Sequence, residues 1–221
     1  EAKISYIARH ANDVTTMYNN ESCVTCFLTM GDEEPMIKGT VYTDKGTTNI
    51  GANKTVAISI GGGATATTTE TDASGVFEIG AAVSAGETIM VFLDDETENG
   101  ATVTVSDGAT LSGLDIYQGN VIVRHDNSGS LTNTLLSTAD NTDTDVDYNV
   151  SGGDMTLNNG AELLVWTGNT FAPGGTITGN DYDINGTLTL GSNAVSVAGD
   201  WDTTGGSFTS SGTITFATST S

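Results

Sequence analysis

The chain has 221 residues, enough for one or two domains with a hydrophobic core. Its 28 acidic residues against 6 basic ones give a formal net charge of −22. This charge excludes nucleic acid as a partner, because phosphate binding needs a basic surface, and it disfavours anionic membrane surfaces. No run of roughly 18 apolar residues is present and no N-terminal signal is recognisable, so we expect a mature or excised soluble segment without membrane insertion.

The composition indicates an all-β chain. Threonine and glycine are abundant, only 2 prolines occur, and the helix-forming residues Leu, Lys, Arg and Gln are scarce. Apolar residues alternate with Thr or Ser in several runs, among them residues 102–106 and 187–190. A period of two places one face of a strand in a core and predicts that the Thr/Ser face is solvated. Only residues 5–20 suggest a helix, and their β-branched residues argue against it.

Residues 1–35 are predicted to form an extended N-terminal arm, because their apolar residues are too scattered to build a core. Ile4, Tyr6 and Ile7 alternate imperfectly. They are the candidate positions of a strand that adds to a sheet edge, in this chain or in another copy. A first strand within its own domain is the alternative.

The arm contains the only two cysteines, Cys23 and Cys26, in a C-x-x-C arrangement. Such a pair can be a redox centre, half of a metal site, a haem anchor or a disulfide. Phe27 stands where haem attachment needs histidine, and a zinc site would need further ligands such as His10. In an exported protein, a structural disulfide within the arm or between subunits is the favoured interpretation.

Residues 36–116 show the strand spacing of a β-sandwich, with strands predicted near 37–43, 54–60, 65–71, 76–80, 88–94 and 101–106. The segments Ile37–Asp44 and Thr69–Ile79 resemble the "G-x-V … T-D-x-x-G-x-F" framework of carboxypeptidase-regulatory-like and related Ig-like surface modules. The resemblance implies an Ig-like sandwich that acts as a spacer or accessory module without catalysis. Within it, Asp72–Gly75 also fits a simple turn.

In residues 117–221, apolar residues recur at intervals of roughly six or seven, separated by Gly and Asn corners, as in a parallel β-solenoid. The element Gly-Thr-aliphatic-Thr appears at 175–178, 186–189 and 212–215. This region resembles the β-helical stalks of large bacterial surface proteins and adhesins. A second sandwich built from short strands is the alternative.

Asp140, Asp143, Asp145 and Asp147 form the densest acidic segment and make calcium possible as a ligand, since Ca²⁺ prefers several oxygen donors from a short polar loop. The spacing, central Gly and terminal Glu of an EF-hand are missing, so a solvated loop is the alternative. We expect no other cofactor.

No catalytic motif is present, and with only His10 and His125 available we expect no enzyme activity. Asp181 and Asp183 could share a strand face as a carboxylate pair, but Tyr182 and Ile184 explain the same pattern as an inward side. A group of aromatic residues could stack on sugars, although core positions are the more usual role of aromatics in a β-coil. These residues are Trp166, Phe171, Tyr182 and Trp201.

Residues 1–54 contain five of the six bases and seven acids, whereas residues 55–221 contain one base and 21 acids. A near-neutral segment could therefore dock on an acidic one, with Lys3, Arg9, Lys38, Lys45 and Lys54 offering complementary charges. The alternative is that the acidic body simply keeps the protein soluble. The sequence predicts a structural subunit of an extracellular or cell-surface assembly that binds other copies of itself by strand complementation. The alternative function is a stalk or adhesin fragment that binds glycans or a host-surface partner.

Overall fold

Alternating apolar residues form six strands where the first half of the sequence predicts them. The computed structural model describes residues 35–64 and 67–217, which contain twenty strands and one short helix. The all-β prediction is thereby confirmed. Ile4, Tyr6, Ile7, Cys23 and Cys26, like the weak helix signal at 5–20, lie outside the described residues. The strands of the first half are β1 (Met36–Tyr42), β2 (Thr55–Ile60), β3 (Thr67–Glu70), β4 (Val76–Gly80), β5 (Thr88–Leu93), β6 (Ala101–Val105) and β7 (Ile116–Tyr117).

These strands form two layers around one core. In one layer β1 pairs antiparallel with β4 and parallel with β7, and in the other the order is β3-β2-β5-β6, all antiparallel. Phe77 and Ile79 of the first layer belong to the same buried cluster as Ile58, Ile89 and Val91 of the second. A two-layer arrangement is therefore present, while the Ig-like assignment stays a prediction.

The second half of the chain forms a β-solenoid, as predicted, because strands of four successive coils stack in parallel on three faces. This pairing excludes a second sandwich within the described residues. The first face contains β8 (Asn120–Val123), β12 (Glu162–Val165), β15 (Asp181–Ile184) and β18 (Trp201–Asp202). The second contains β9 (Ser130–Leu131), β13 (Thr170–Phe171), β16 (Thr187–Gly191) and β19 (Ser207–Ser210). The third contains β11 (Asp154–Leu157), β14 (Ile177–Gly179), β17 (Val195–Val197) and β20 (Ile214–Phe216) in parallel, preceded by β10 (Tyr148–Ser151), which pairs antiparallel with β11.

The coil length explains the spacing of apolar residues. Glu162 pairs with Asp181 and Tyr182 with Trp201, so a coil takes about 19 residues and each of its three faces about six. The Gly-Thr-aliphatic-Thr element marks corners instead of whole coils, which is why its copies are unevenly spaced. A Cβ at Gly186 or Gly212 would clash with backbone carbonyls of the preceding coil, so only glycine permits this close stacking.

One helix, α1 (Asn133–Ala139), interrupts the first coil and was not predicted from the sequence. Thr132 caps it by accepting a hydrogen bond from the Leu135 backbone N–H at 3.2 Å. Leu136 and Ala139 are buried in the solenoid core. Among the described residues, no helix is long and apolar enough to cross a membrane.

A single eight-stranded sheet joins the two halves of the described chain, in the order β18-β15-β12-β8-β6-β5-β2-β3. The junction is the parallel pairing of β6 with β8, in which Ala101 lies opposite Val121. The predicted domain boundary at residue 116 falls on β7, which is not part of this sheet. The eight-stranded sheet continues from one half of the chain into the other without a break. One face of β5 contributes Ile89 and Val91 to the two-layer core, and the other contributes Met90 and Phe92 to the solenoid core.

The prediction of a solvated Thr/Ser face is wrong for β6, because that strand is covered on both sides. Thr102 and Thr104 are fully buried, while Val103 and Val105 point into the solenoid core. The hydroxyls are satisfied internally: that of Thr104 donates to Asp126 Oδ2 at 2.6 Å, and that of Thr102 donates to the carbonyl of Asp115. On β16 the prediction is right, since Leu188 and Leu190 are buried and Thr189 between them is exposed.

Because the shared sheet belongs to both cores, we expect Phe92→Ala to destabilise both halves together, by about 3–5 kcal/mol. Hydrogen exchange measured by mass spectrometry should show increased exchange in peptides of β1–β4 and of β12–β17. Thr68→Ala, on the exposed edge strand, is the control and should change neither. Faster exchange confined to one half would contradict the shared-sheet explanation.

Candidate functional site

The outer side of the first solenoid face bears a row of carboxylates. Tyr182 and Ile184 point into the solenoid core, so Asp181 and Asp183 point outward, and Glu162 lies beside Asp181 in the neighbouring strand. The inward role predicted for Tyr182 and Ile184 is confirmed. Alternation on a parallel sheet thus brings acids from two coils together, against their mutual repulsion.

Lys45 offsets this repulsion. Its Nζ donates hydrogen bonds to Asp183 Oδ2 at 2.6 Å and to Glu162 Oε1 at 2.8 Å. The loop that presents Lys45 follows β1 and is held by Asp44, whose Oδ1 accepts the backbone N–H groups of Thr47 and Thr48 at 2.7 and 2.8 Å. We call Lys45, Glu162 and Asp183 the lysine clamp, because it ties the two-layer half to the second and third coils.

The pKa shifts in the lysine clamp follow from burial and pairing. Burial raises the pKa of Glu162, and the nearby Asp183 and Asp181 raise it further, although Lys45 opposes both. For Lys45, burial alone would lower the pKa, but the bonds to Asp183 and Glu162 leave it above its usual value. Lys45 is therefore a charged structural partner. It is not a neutral amine available as a nucleophile.

A second cluster on the same outer side is aromatic. Tyr117 lies 5.7 Å from Tyr42 and 6.1 Å from Trp166, measured between ring centroids, and the Arg124 guanidinium lies 5.8 Å from the Trp166 ring. Tyr117 packs with Ile122 and Leu164. The four aromatics considered as a sugar platform do not form one, because Phe171 and Tyr182 are buried in the solenoid core. Trp166 lies outside that core and Trp201 packs at its edge.

The acidic loop contributes only two of its four candidate ligands to one cluster. Asp143 and Asp145 lie with Asp94, their carboxylate oxygens all within 4.8 Å of one another, so these three are the residues that could hold a divalent cation. Asp140 instead accepts the Thr142 N–H at 2.8 Å, and Asp147 accepts the Asn159 amide at 2.7 Å. Sequence reasoning missed Asp94 because it belongs to the β5–β6 hairpin. Calcium binding stays a prediction.

His125 has no nucleophile among its hydrogen-bond partners in the described chain. It follows β8, and its backbone N–H donates to Asn169 Oδ1 at 2.7 Å. Burial lowers the pKa of His125, with Asp126 acting in the opposite direction. We identify no catalytic role for it.

Comparison with family models, with curated proteins and with solved structures gave no match. The resemblance to carboxypeptidase-regulatory-like modules therefore stays a prediction. Its Asp72–Gly75 segment is a turn between β3 and β4, in which Asp72 Oδ1 accepts the N–H groups of Ser74 and Val76 at 2.8 and 3.0 Å.

Removal of the clamp lysine should leave two carboxylates together without a counter-charge. We expect Lys45→Met to lower the free energy of unfolding at pH 7 by about 1–3 kcal/mol. The loss should shrink towards pH 4, because protonation of Glu162, whose pKa is already raised, relieves the repulsion. Urea unfolding at both pH values measures this. Lys38→Met is the control, because Lys38 is about as exposed as Lys45 (40% against 46%) but its partner Glu78 is 52% exposed, whereas Glu162 and Asp183 are 21% and 10% exposed. Equal losses for the two variants would contradict the clamp.

The three-carboxylate cluster should destabilise the folded chain at neutral pH. Burial raises the pKa of Asp94, and the charges of Asp143, Asp95 and Asp145 raise it further. A raised carboxyl pKa favours folding only while the group is protonated, so this stability is lost as the pH rises through that pKa.

We therefore expect Asp94→Asn to increase the free energy of unfolding at pH 7 by a few tenths to about 1 kcal/mol, and by less at pH 4. Glu70→Gln on the exposed strand β3 removes the same charge and should have no such effect. If calcium occupies the cluster, calcium should raise the melting temperature of the unmodified chain more than that of Asp94→Asn. A lower stability for Asp94→Asn without calcium would contradict the repulsion.

Proposed function

We propose that this chain is a structural subunit of an extracellular or cell-surface assembly and associates with other copies of itself through β-strand complementation. The observation that supports this is the strand edge that the fourth coil presents within the described residues. In the described chain, β18, β19 and β20 each pair with only one strand, and Phe216 is 57% exposed. An added strand would satisfy free backbone groups and bury apolar side chains at the same time.

The charges support an N-terminal donor. Lys38, Lys45 and Lys54, three of the five bases in the first 54 residues, already pair with acids of the same chain. Lys3 and Arg9 are the bases left to complement an acidic neighbour. The hypothesis that bases of the N-terminal segment pair with an acidic neighbour is thereby restricted from five bases to Lys3 and Arg9. Both lie in the first residues of the arm, as do Ile4, Tyr6 and Ile7, the proposed inserted positions.

The two-layer half fits the role of a spacer that covers one end of the solenoid. We propose that it is an Ig-like module of the carboxypeptidase-regulatory-like kind, on the sequence framework of β1 and β4 and the antiparallel order of β3-β2-β5-β6. A disulfide between Cys23 and Cys26 would suit the proposed extracellular location.

Carbohydrate binding is the second candidate, favoured by the aromatic cluster of Tyr42, Tyr117 and Trp166 beside the carboxylate row. Aromatic rings with nearby acids are suited to sugar rings, although Tyr117 is buried and Tyr42 and Trp166 are only partly exposed. Arg124 covers part of Trp166, which leaves less stacking surface than a sugar platform normally offers.

Deletion of residues 1–20 tests the proposed function. We expect the full chain to form polymers, and the shortened chain to be monomeric with an unchanged circular dichroism spectrum, because the donor strand is gone. Light scattering after size exclusion and negative-stain images measure this. A second variant retains residues 1–20 but has Ile4, Tyr6 and Ile7 replaced by serine. It distinguishes loss of the apolar donor side chains from shortening of the chain, and it should also be monomeric. Polymers of the shortened chain would contradict complementation, and monomers of both chains that bind glycans would favour the second candidate.

A further inference from the structure

A cavity of about 270 Å³ opens between the acidic loop, residues 140–147, and the start of the third solenoid face. Residues of the loop form one wall, and β10 with the turn after β11 forms the other. The cavity has the volume that about nine water molecules occupy in the liquid, at about 30 Å³ each, which is room for one six-membered sugar ring with its substituents. It is built from other residues than the aromatic cluster of Tyr42, Tyr117 and Trp166.

This cavity has an apolar floor and polar walls. Val146 and Tyr148 form the floor and are both buried. Asn149, Asn158 and Thr144 line the walls and are exposed. Within the described chain the side chains of these three residues make no hydrogen bond, so their amide and hydroxyl groups are available to a ligand. An apolar floor below free polar groups suits a sugar ring, which presents C–H groups on its face and hydroxyls around its edge.

The carboxylates at the cavity have no base beside them in the described chain. Asp140 and Asp143 line the cavity, and Asp143 also belongs to the three-carboxylate cluster with Asp94 and Asp145. All four basic residues of the described chain pair with other acids. Burial raises the pKa of Asp94, and the charges of Asp143, Asp95 and Asp145 raise it further. A cationic ligand would relieve this repulsion, whereas an anionic ligand would add to it.

Side-chain hydrogen bonds hold the walls in place. Thr142 and Asn159 line the cavity with φ angles of 62° and 51°, in the left-handed region that is unfavourable for a β-branched residue such as threonine. Asp140 Oδ1 fixes the first by accepting the Thr142 N–H at 2.8 Å, and the Asn159 amide donates to Asp147 Oδ1 at 2.7 Å. Walls that are fixed before binding lose little conformational freedom when a ligand enters.

We propose that this cavity binds an amino sugar residue, with its ammonium group at Asp140 and Asp143 and its ring over Val146 and Tyr148. The ammonium group donates hydrogen bonds to the carboxylates, which only accept. The sugar hydroxyls both donate and accept, as the free amide and hydroxyl groups of the walls require. This inference does not rest on the proposed function, because it needs no association between copies of the chain.

Four small ligands test the assignment. Glucosamine has the ammonium group and the hydroxyls, N-acetylglucosamine has the same ring without the charge, butylamine has the charge without the ring, and glucuronic acid has the opposite charge. We expect a Kd on the order of 1 mM for glucosamine at about pH 6, where its amine is protonated. N-acetylglucosamine and butylamine should each bind about tenfold more weakly, and glucuronic acid should not bind. NMR titration of the full chain measures this, with a chelator present to keep divalent cations off the three-carboxylate cluster.

Asp143→Asn tests the position of the ammonium group. It should weaken glucosamine binding about tenfold and leave N-acetylglucosamine binding nearly unchanged, because the charge is lost while an Oδ1 remains to accept the Asp145 N–H, which lies at 3.0 Å. Asp154→Asn is the matched control, since Asp154 is exposed on β11 and does not line the cavity, so removal of the same charge should change neither affinity. Asn158→Ala should weaken the binding of both sugars, because it removes a hydrogen-bonding group from the wall.

Each contrary result overturns a stated part of the proposal. Equal affinities for glucosamine and butylamine would mean that the cavity takes any organic cation, which overturns the sugar assignment. N-acetylglucosamine binding as tightly as glucosamine would overturn the role of Asp140 and Asp143. Absence of glucosamine binding at about ten times the expected Kd, or equal losses in Asp143→Asn and Asp154→Asn, would overturn the site itself. None of these results depends on whether copies of the chain associate, so the proposed function is tested separately.

Discussion

Burial of one sheet on both faces is the constraint on which this architecture depends. Strands β2, β5 and β6 close the two-layer core with one face and the solenoid core with the other. A solenoid needs such a cover, because the inner side chains of its first coil would otherwise meet water. Here the cover is made from the next strands of the same sheet, with α1 over them, so that no separate capping element is needed. As a consequence, Thr102 and Thr104 of β6 are shielded from water. The hydroxyl of each donates a hydrogen bond to an acceptor inside the protein.

The excess of acids is tolerated because the few bases lie where carboxylates are least hydrated. Lys45 pairs with Asp183, which is nearly buried, and Lys54 pairs with Glu96 and Glu98, which share one hairpin. Coulombic attraction is worth most at such partly buried positions, because screening by water and salt is weaker there. Most of the remaining described acids lie on outward positions or in loops, where hydration limits their repulsion. Asp147 is buried but accepts a hydrogen bond from the Asn159 amide, whereas Asp94, Asp143 and Asp145 lie together without a counter-charge described beside them.

Local patterns predicted most of this fold, whereas contacts between distant segments could not be predicted. Alternation located β1 to β6 within one or two residues, and the spacing of apolar residues indicated the solenoid. Burial of Thr102 on the far side of its strand depends on which sheet lies next to it, and alternation carries no such information. The approach of Lys45 to Glu162 and Asp183, or of Asp94 to the acidic loop, likewise needs tertiary structure. Helix α1 was missed because seven residues with two threonines give a weak periodic signal.

The first and fourth coils of the described residues differ in what covers them, and this difference bears on the assembly proposed above. The first coil is covered by β5, β2 and α1, whereas the fourth coil exposes Phe216 within the described residues. In strand complementation the donor strand and the edge that receives it are different surfaces, so a contact of this kind between two copies would be heterologous. Such a contact leaves one donor and one acceptor free after every addition. It therefore extends into a filament or closes into a ring, of which two copies that exchange donor strands are the smallest.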